Sequence, residues 1–174
     1  MGAHDSALLD ALSEYMPTAY SGEVWRITRK GLEPLRGSTA NGRWSAGADI
    51  EVLYTSMTRE GALAEIGFRL SLEPVWPSRM EHEIHRLGVG VERTLKLIDF
   101  RALEVLGVDT ARFAGFDYTQ TKAIAAAAHF LEFDGMIVPS ARSTAQNLVL
   151  FQDRVKSLKP ITSEAVEWVK WRNN

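Results

Sequence analysis

Two stretches of this chain gather side chains suited to holding and breaking a charged substrate. The first is Gly42-Arg43-Trp44-Ser45 followed by Leu53-Tyr54-Thr55-Ser56 and Glu65, and the second is Gly135-Met136-Ile137-Val138-Pro139-Ser140-Ala141-Arg142. Arg43, Tyr54 and Glu65 follow one another at intervals of 11 residues, in a predicted loop, strand end and helix. An arginine fork matches a pyrophosphate better than a lysine point charge does. A tyrosine can stack on a heteroaromatic ring and still use its hydroxyl. A carboxylate can stabilise positive charge as it develops on a ribose, through its field and by accepting a hydrogen bond from a ribose hydroxyl. Ser140 can donate to a phosphate or ribose without being a nucleophile, and loop amides beside it can add donors. If the two stretches meet in space, they form one split site for a charged dinucleotide.

Each residue also has a plainer use. Arg43 can stack on Trp44 in a surface loop, and Tyr54 can be a core residue with its hydroxyl at the surface. Glu65 can pair with Arg69 one helical turn on, and Ser140 can be a turn residue after Pro139. Arg142 is either a surface cation or a second phosphate contact. Asn147 can bond loop backbone or a ligand, and Arg26 can be an inward ion-pair partner or a substrate ligand.

The elements that must position these groups are partly readable. Leu8, Leu9, Leu12, Tyr15 and Met16 recur at helical spacing up to Pro17. Glu23 to Ile27 alternates as a half-buried strand, with Val24 and Arg26 on one face. Residues 31–49, rich in glycine, serine and asparagine, predict a long loop. A strand over Val52-Leu53-Tyr54 follows, and Thr58 caps a helix carrying Ala62, Leu63, Ile66 and Leu70, with Glu65 at the edge of the apolar stripe. Glu81 to Asp99 predicts two strands with a turn at Gly88-Val89-Gly90. An alanine-rich helix capped by Asp117 runs through Leu131 to a stop at Asp134-Gly135, and short strands follow at 136–138 and 148–151. The tail from Ser163 to Trp171 fits a helix or a strand, and Trp168 and Trp171 suit a core or an interface.

Composition bounds the rest. With 45% hydrophobic and 24% charged residues, the 174-residue chain predicts a single compact α+β domain, its mixed, twisted sheet flanked by helices. Twenty-two acidic and 20 basic residues give a formal charge of −2, which disfavours direct nucleic-acid binding. The absence of cysteine excludes disulfides, thiolate nucleophiles and cysteine-ligated metals. There is no secretory pattern at the N-terminus and no apolar run approaching the roughly 20 residues of a membrane span, so a cytoplasmic location away from membranes is expected. His82 and His85 fall on opposite faces of a strand, and neither an HExxH helix nor a phosphate-loop motif is present, so no metal is expected.

The texts GRWSAGADIEVLYTSMTREGALAE and FDGMIVPSARSTAQNLVLF resemble the two halves of the RES domain, with the likeness covering about residues 24 to 152. An N-terminal helix and a C-terminal element would pack on that core. The arginine, glutamate and serine that name the domain fall on Arg43, Glu65 and Ser140. The resemblance implies an ADP-ribosyltransferase-like fold, NAD as substrate, and a toxin role in a toxin–antitoxin system. It implies as partner a cognate Xre-type helix-turn-helix antitoxin, with which the chain could form a higher-order complex. It also favours Arg26 as a substrate ligand. Glu65, Arg43, Tyr54 and Ser140 would then be the catalytic set, and Arg26, Arg43, Tyr54, Ser140 and Asn147 the NAD contacts.

Cleavage of the nicotinamide–ribose bond could end on water, phosphate or a protein side chain, and the residues leave that choice open. A non-catalytic nucleotide- or protein-binding module is the alternative. It is disfavoured by Glu65, because a carboxylate helps where cationic charge develops and not where an anion merely binds. A ribonuclease toxin would call for a basic face and a placed histidine pair.

Overall fold

The computed structural model describes residues 4–74 and 80–168. Six strands form one sheet in the order β1 (Thr18–Arg29), β2 (Val52–Ser56), β5 (Gln146–Phe151), β4 (Gly135–Pro139), β3 (His82–Lys96) and β6 (Ser157–Ala165). A further pairing of β1 with β3 closes the first five into a ring. Only β3 and β4 run parallel, so the sheet is mixed. The helices are α1 (Ser6–Ser13), α2 (Arg59–Ser71), α3 (Phe100–Val105) and α4 (Thr119–Phe130). Among the described residues no helix is long and apolar enough to cross a membrane.

Three apolar clusters follow from the alternation of side chains along these strands. Met136, Val138, Val149 and Phe151 face α1 and α4 together with Leu12, Leu95, Ile124 and the buried Trp44. Ile137, Leu148 and Leu150 face the other way and pack with Val24, Leu53 and Leu87. Ile27, Ala62 and Ile84 hold α2 against the sheet. Trp168 packs at the margin of this third cluster and donates from Nε1 to Nδ1 of His82 at 3.1 Å; Trp171 lies outside the described residues.

Several local expectations need correction. Gly88 and Gly90 do not turn the chain: β3 is one 15-residue strand. Gly88 is opposite Glu23 of β1 on one edge and Lys159 of β6 on the other. Paired on both edges, the segment stays extended. α1 stops before Tyr15, and Met16 is 84% exposed, because Pro17 and β1 redirect the chain there. α4 ends through Glu132, which adopts a left-handed φ of 65°, and not at Asp134-Gly135. Asp134 instead uses its buried carboxylate to accept from the amides of Glu92 and Arg93, at 3.1 and 2.9 Å, and Gly135 begins β4. Asp117 accepts from the amide and hydroxyl of Thr119, which hold its carboxyl below the usual range. The polar strand β6, with Pro160 in it, lies at one end of the strand order, where a missing N–H is tolerated.

His85 is buried between β1 and β6, its two ring nitrogens against Thr28 Oγ1 and Ser163 Oγ at 2.9 and 2.8 Å. Burial pushes its pKa, and that of His82, below the ordinary imidazole value. The two histidines face different partners and share no ligand set, and no group of three or more metal-ligating side chains occurs among the described residues.

Candidate active site

The long loop before β2 is fixed from inside. Trp44 is 2% exposed and belongs to the main core, so it does not offer its indole to Arg43 in a surface loop. Its amide donates to Tyr54 Oη at 3.2 Å, and the turn that precedes it is tied by Gly42 N to Ser45 Oγ, 2.7 Å, and Ser45 Oγ to Ala40 O, 2.9 Å. Burial raises the Tyr54 phenol pKa, which keeps the hydroxyl neutral.

With Trp44 buried, Arg43 turns into a cleft. Its Nη1 donates to Phe113 O and its Nη2 to Gly115 O at 3.3 Å. The guanidinium also lies 4.7 Å from the Phe113 ring centroid and 4.9 Å from that of Tyr118. Desolvation is the main cause of its lowered pKa, yet an arginine fork stays charged. Arg26 reaches the same cleft from β1, donating from Nη1 to Tyr54 O at 3.0 Å and from Nη2 to Arg36 O at 3.3 Å. Its buried Nε has no hydrogen-bond partner among the described residues, and burial followed by the nearby Arg69 lowers its pKa.

Glu65 enters on α2. Thr58 caps that helix by accepting from Gly61 N at 2.9 Å, and Glu60 sits favourably in the first turn. A side chain at Gly61 would stand 2.9 Å from Ala145 Cβ, so glycine is what lets α2 approach the loop between β4 and β5. That approach joins the two stretches. Glu65 Oε1 accepts from Ser140 Oγ at 2.6 Å and from Asn147 Nδ2 at 3.0 Å. Ser140 Oγ in turn accepts from the amides of Arg142 and Ser143, at 3.0 and 3.2 Å, which fixes the direction of its proton toward Glu65. No ion pair between Glu65 and Arg69 is formed.

These groups face a cavity of about 460 Å³. Arg26, Arg43, Arg69 and Arg142 line it, with Tyr54 and Asn147, and Glu65 is the only carboxylate lining it among the described residues. Arg26, Arg43, Tyr54, Glu65 and Asn147 thus share one wall system, whereas Ser140 sits behind it, with its neighbours Pro139 and Ala141 on the surface of the cleft. Asn147 Oδ1 is buried without a hydrogen-bond partner among the described residues.

Sequence reasoning missed Arg69 as a lining residue, although its spacing of four from Glu65 puts both on one helix face. Phe68 and Phe116, which stack at the cleft, and Tyr118 were missed too. Tyr118 carried no signal, since Asp117-Tyr118-Thr119 reads as a helix start.

Comparison with known proteins places this geometry among relatives. The family model described as the RES domain matches residues 23–171. The probable NAD(+) phosphorylase Rv3189 of Mycobacterium tuberculosis is 32% identical over 164 residues, covering 90% of this chain and 77% of that protein. The NAD(+) phosphorylase MbcT of Mycobacterium bovis is 21% identical over 160 residues, covering 88% of this chain and 86% of that one. Among solved structures, a chain of the M. tuberculosis MbcT–MbcA toxin–antitoxin complex superposes with a TM-score of 0.84 at 20% identity, over 94% of each chain. At that identity the likeness speaks for the fold.

Proposed function

The chain belongs to the RES domain family, and from that premise we propose that it is a toxin that cleaves the nicotinamide–ribose bond of NAD and passes the ADP-ribosyl group to inorganic phosphate. The observation that carries the reading is Glu65: among the described residues the single carboxylate of the cleft, held by Ser140 and Asn147, facing Arg26, Arg43, Arg69 and Arg142.

NAD brings a pyrophosphate and a pyridinium. Arg26 and Arg43 supply the cationic forks for the first, and Tyr54 the ring and hydroxyl for the second. The nicotinamide leaves as a neutral base, so no general acid is required. What the reaction requires is support for the cationic ribose, and Glu65 faces the cleft to give it. Ser140 is a positioning residue, since its hydroxyl is taken up by Glu65 and by its own loop.

The choice among acceptors turns on protons. Attack by water needs a base, and among the described residues the cleft is lined by neither a histidine nor a second carboxylate. Phosphate dianion carries its own nucleophilic charge. A phosphate oxygen bonds to the ribose carbon as the glycosidic bond breaks, and that bond's electron pair neutralises the ring nitrogen. The products are nicotinamide and ADP-ribose phosphorylated at that carbon. The relatives named NAD(+) phosphorylases support this outcome over hydrolysis and over transfer to a protein.

Purified protein given NAD should release nicotinamide when phosphate is present, with a second product whose mass exceeds that of ADP-ribose by one phosphate. No release with or without phosphate would refute the enzyme reading. Release at equal rates with plain ADP-ribose as product would make it a hydrolase.

We further take the chain to act as one domain in the cytoplasm, where its substrate is, and to be restrained by a helix-turn-helix antitoxin, in keeping with the toxin–antitoxin pair it superposes on. The same assay reads this restraint: the reconstituted pair should release nicotinamide more slowly than the toxin alone.

A further inference from the structure

Phosphorolysis brings a second anion into a cleft that must already hold a pyrophosphate, and the four cavity arginines are not equivalent. None of them has a carboxylate within ion-pair distance among the described residues, whereas Arg36, Arg86, Arg112 and Arg154, away from the cleft, each do, at 3.4 to 4.0 Å. Arg26 and Arg43 each use two fork hydrogens on backbone carbonyls. Arg69 is exposed and adjoins Arg26. Arg142 is half-buried, and its guanidinium donates to no protein acceptor among the described residues. It rests on the Phe68 ring, whose centroid lies 3.4 Å from Cζ.

Two independent connections put that fork on the Glu65 side of the cleft. Phe68 is three residues beyond Glu65 and therefore on the same face of α2. Ser140, two residues before Arg142, is bonded to the Glu65 carboxylate, and its hydroxyl also accepts from the Arg142 amide. A planar cation resting on an aromatic ring keeps its edge donors available for a tetrahedral oxyanion. After desolvation, Arg142 also contributes to the lowered pKa of Arg43, so the two cations are close enough to feel one another across the cleft.

We propose that Arg142, seated on Phe68 beside Glu65, is the receptor for the inorganic phosphate that attacks the ribose carbon. This rests on the phosphorolytic reading above. The fork holds the phosphate next to the carboxylate that supports the developing ribose cation. It also offsets the repulsion between phosphate and Glu65, which would otherwise keep two anions apart. The proton of the phosphate dianion stays on the transferred group, so no further co-reactant is needed.

The test is nicotinamide release measured across a phosphate titration at saturating NAD, with NAD affinity measured separately by calorimetry, for wild type, Arg142→Ala and Arg142→Lys. Arg142→Ala should raise KM for phosphate by at least about 30-fold, and Arg142→Lys, which keeps the charge and loses the fork, by roughly 5- to 10-fold. NAD affinity should move by less than about threefold in both, which also reports that the variants are folded. A KM for phosphate that stays within about threefold of wild type in both variants overturns the assignment, and so does a loss of NAD affinity as large as the loss in phosphate KM. If wild type releases no nicotinamide at any phosphate concentration, the functional reading fails and this one with it. A working wild type with unaltered variants defeats only the role of Arg142.

Discussion

Replacing Glu65 by glutamine should lower nicotinamide release by roughly 10²- to 10³-fold while NAD affinity changes by less than about threefold. Glutamine is nearly isosteric and keeps an acceptor oxygen, so the bonds from Ser140 and Asn147, at 2.6 and 3.0 Å in wild type, have a counterpart in the variant. The substitution removes the negative charge and little else. That charge has little to do in the ground state, where the substrate presents an anionic pyrophosphate to a cleft with four arginines. It acts when the ribose becomes cationic, in a site where water is largely displaced and a fixed charge is felt more strongly than in solution. Single-turnover release and equilibrium NAD binding check the split. A parallel loss of both would make Glu65 a ligand or a structural residue, and a fall in turnover of less than about tenfold would remove it from the chemistry.

Arg43→Ala should weaken NAD binding by roughly 30- to 100-fold, and Arg43→Lys should recover only a small part of it. The residue does two things at once. Its Nη atoms pin the carbonyls of Phe113 and Gly115, and its guanidinium lies over the Phe113 and Tyr118 rings, so it holds the 113–118 segment against the cleft. The remaining fork hydrogens are available to a pyrophosphate. Lysine can replace the charge, but its single nitrogen cannot reproduce a planar fork that reaches two carbonyls from separate nitrogens and still offers further donors to a pyrophosphate. Calorimetric titration with NAD is the measurement. An affinity within about threefold of wild type would leave Arg43 the role of a loop clamp only.

Both expectations rest on residues the sequence could nominate and on contacts it could not display. Thr58, the apolar positions after it and the edge position of Glu65 are set within one or two helical turns, so local spacing was enough to place the carboxylate on α2. The strands at 52–56, 135–139 and 146–151 are buried apolar runs bounded by loops, and they too were visible at their centres. Gly88 and Gly90 misled because a glycine's preference for turns is a property of a free chain, while β3 is held extended by β1 and β6 on its two edges. The first part of β6 carried no signal and Ser163 to Ala165 fitted a helix or a strand alike, because an edge strand need not bury its side chains and these are mostly exposed.

The sequence by itself determined the chemistry on offer: arginine forks, a phenol, one well-placed carboxylate, and no thiol. It also determined the local element on which each group rides. Only the tertiary structure decided which of them act together. Glu65 and Ser140 are 75 residues apart, and Glu65 and Asn147 are 82 apart. Their hydrogen bonds exist because β5 pairs with both β2 and β4 in one register and because Gly61 lets α2 close on the loop between β4 and β5. The same closure sets Arg142 on Phe68, 74 residues away, and the burial of Trp44 turns Arg43 inward. Contacts of this kind depend on long-range packing, which side-chain periodicity along the chain does not encode.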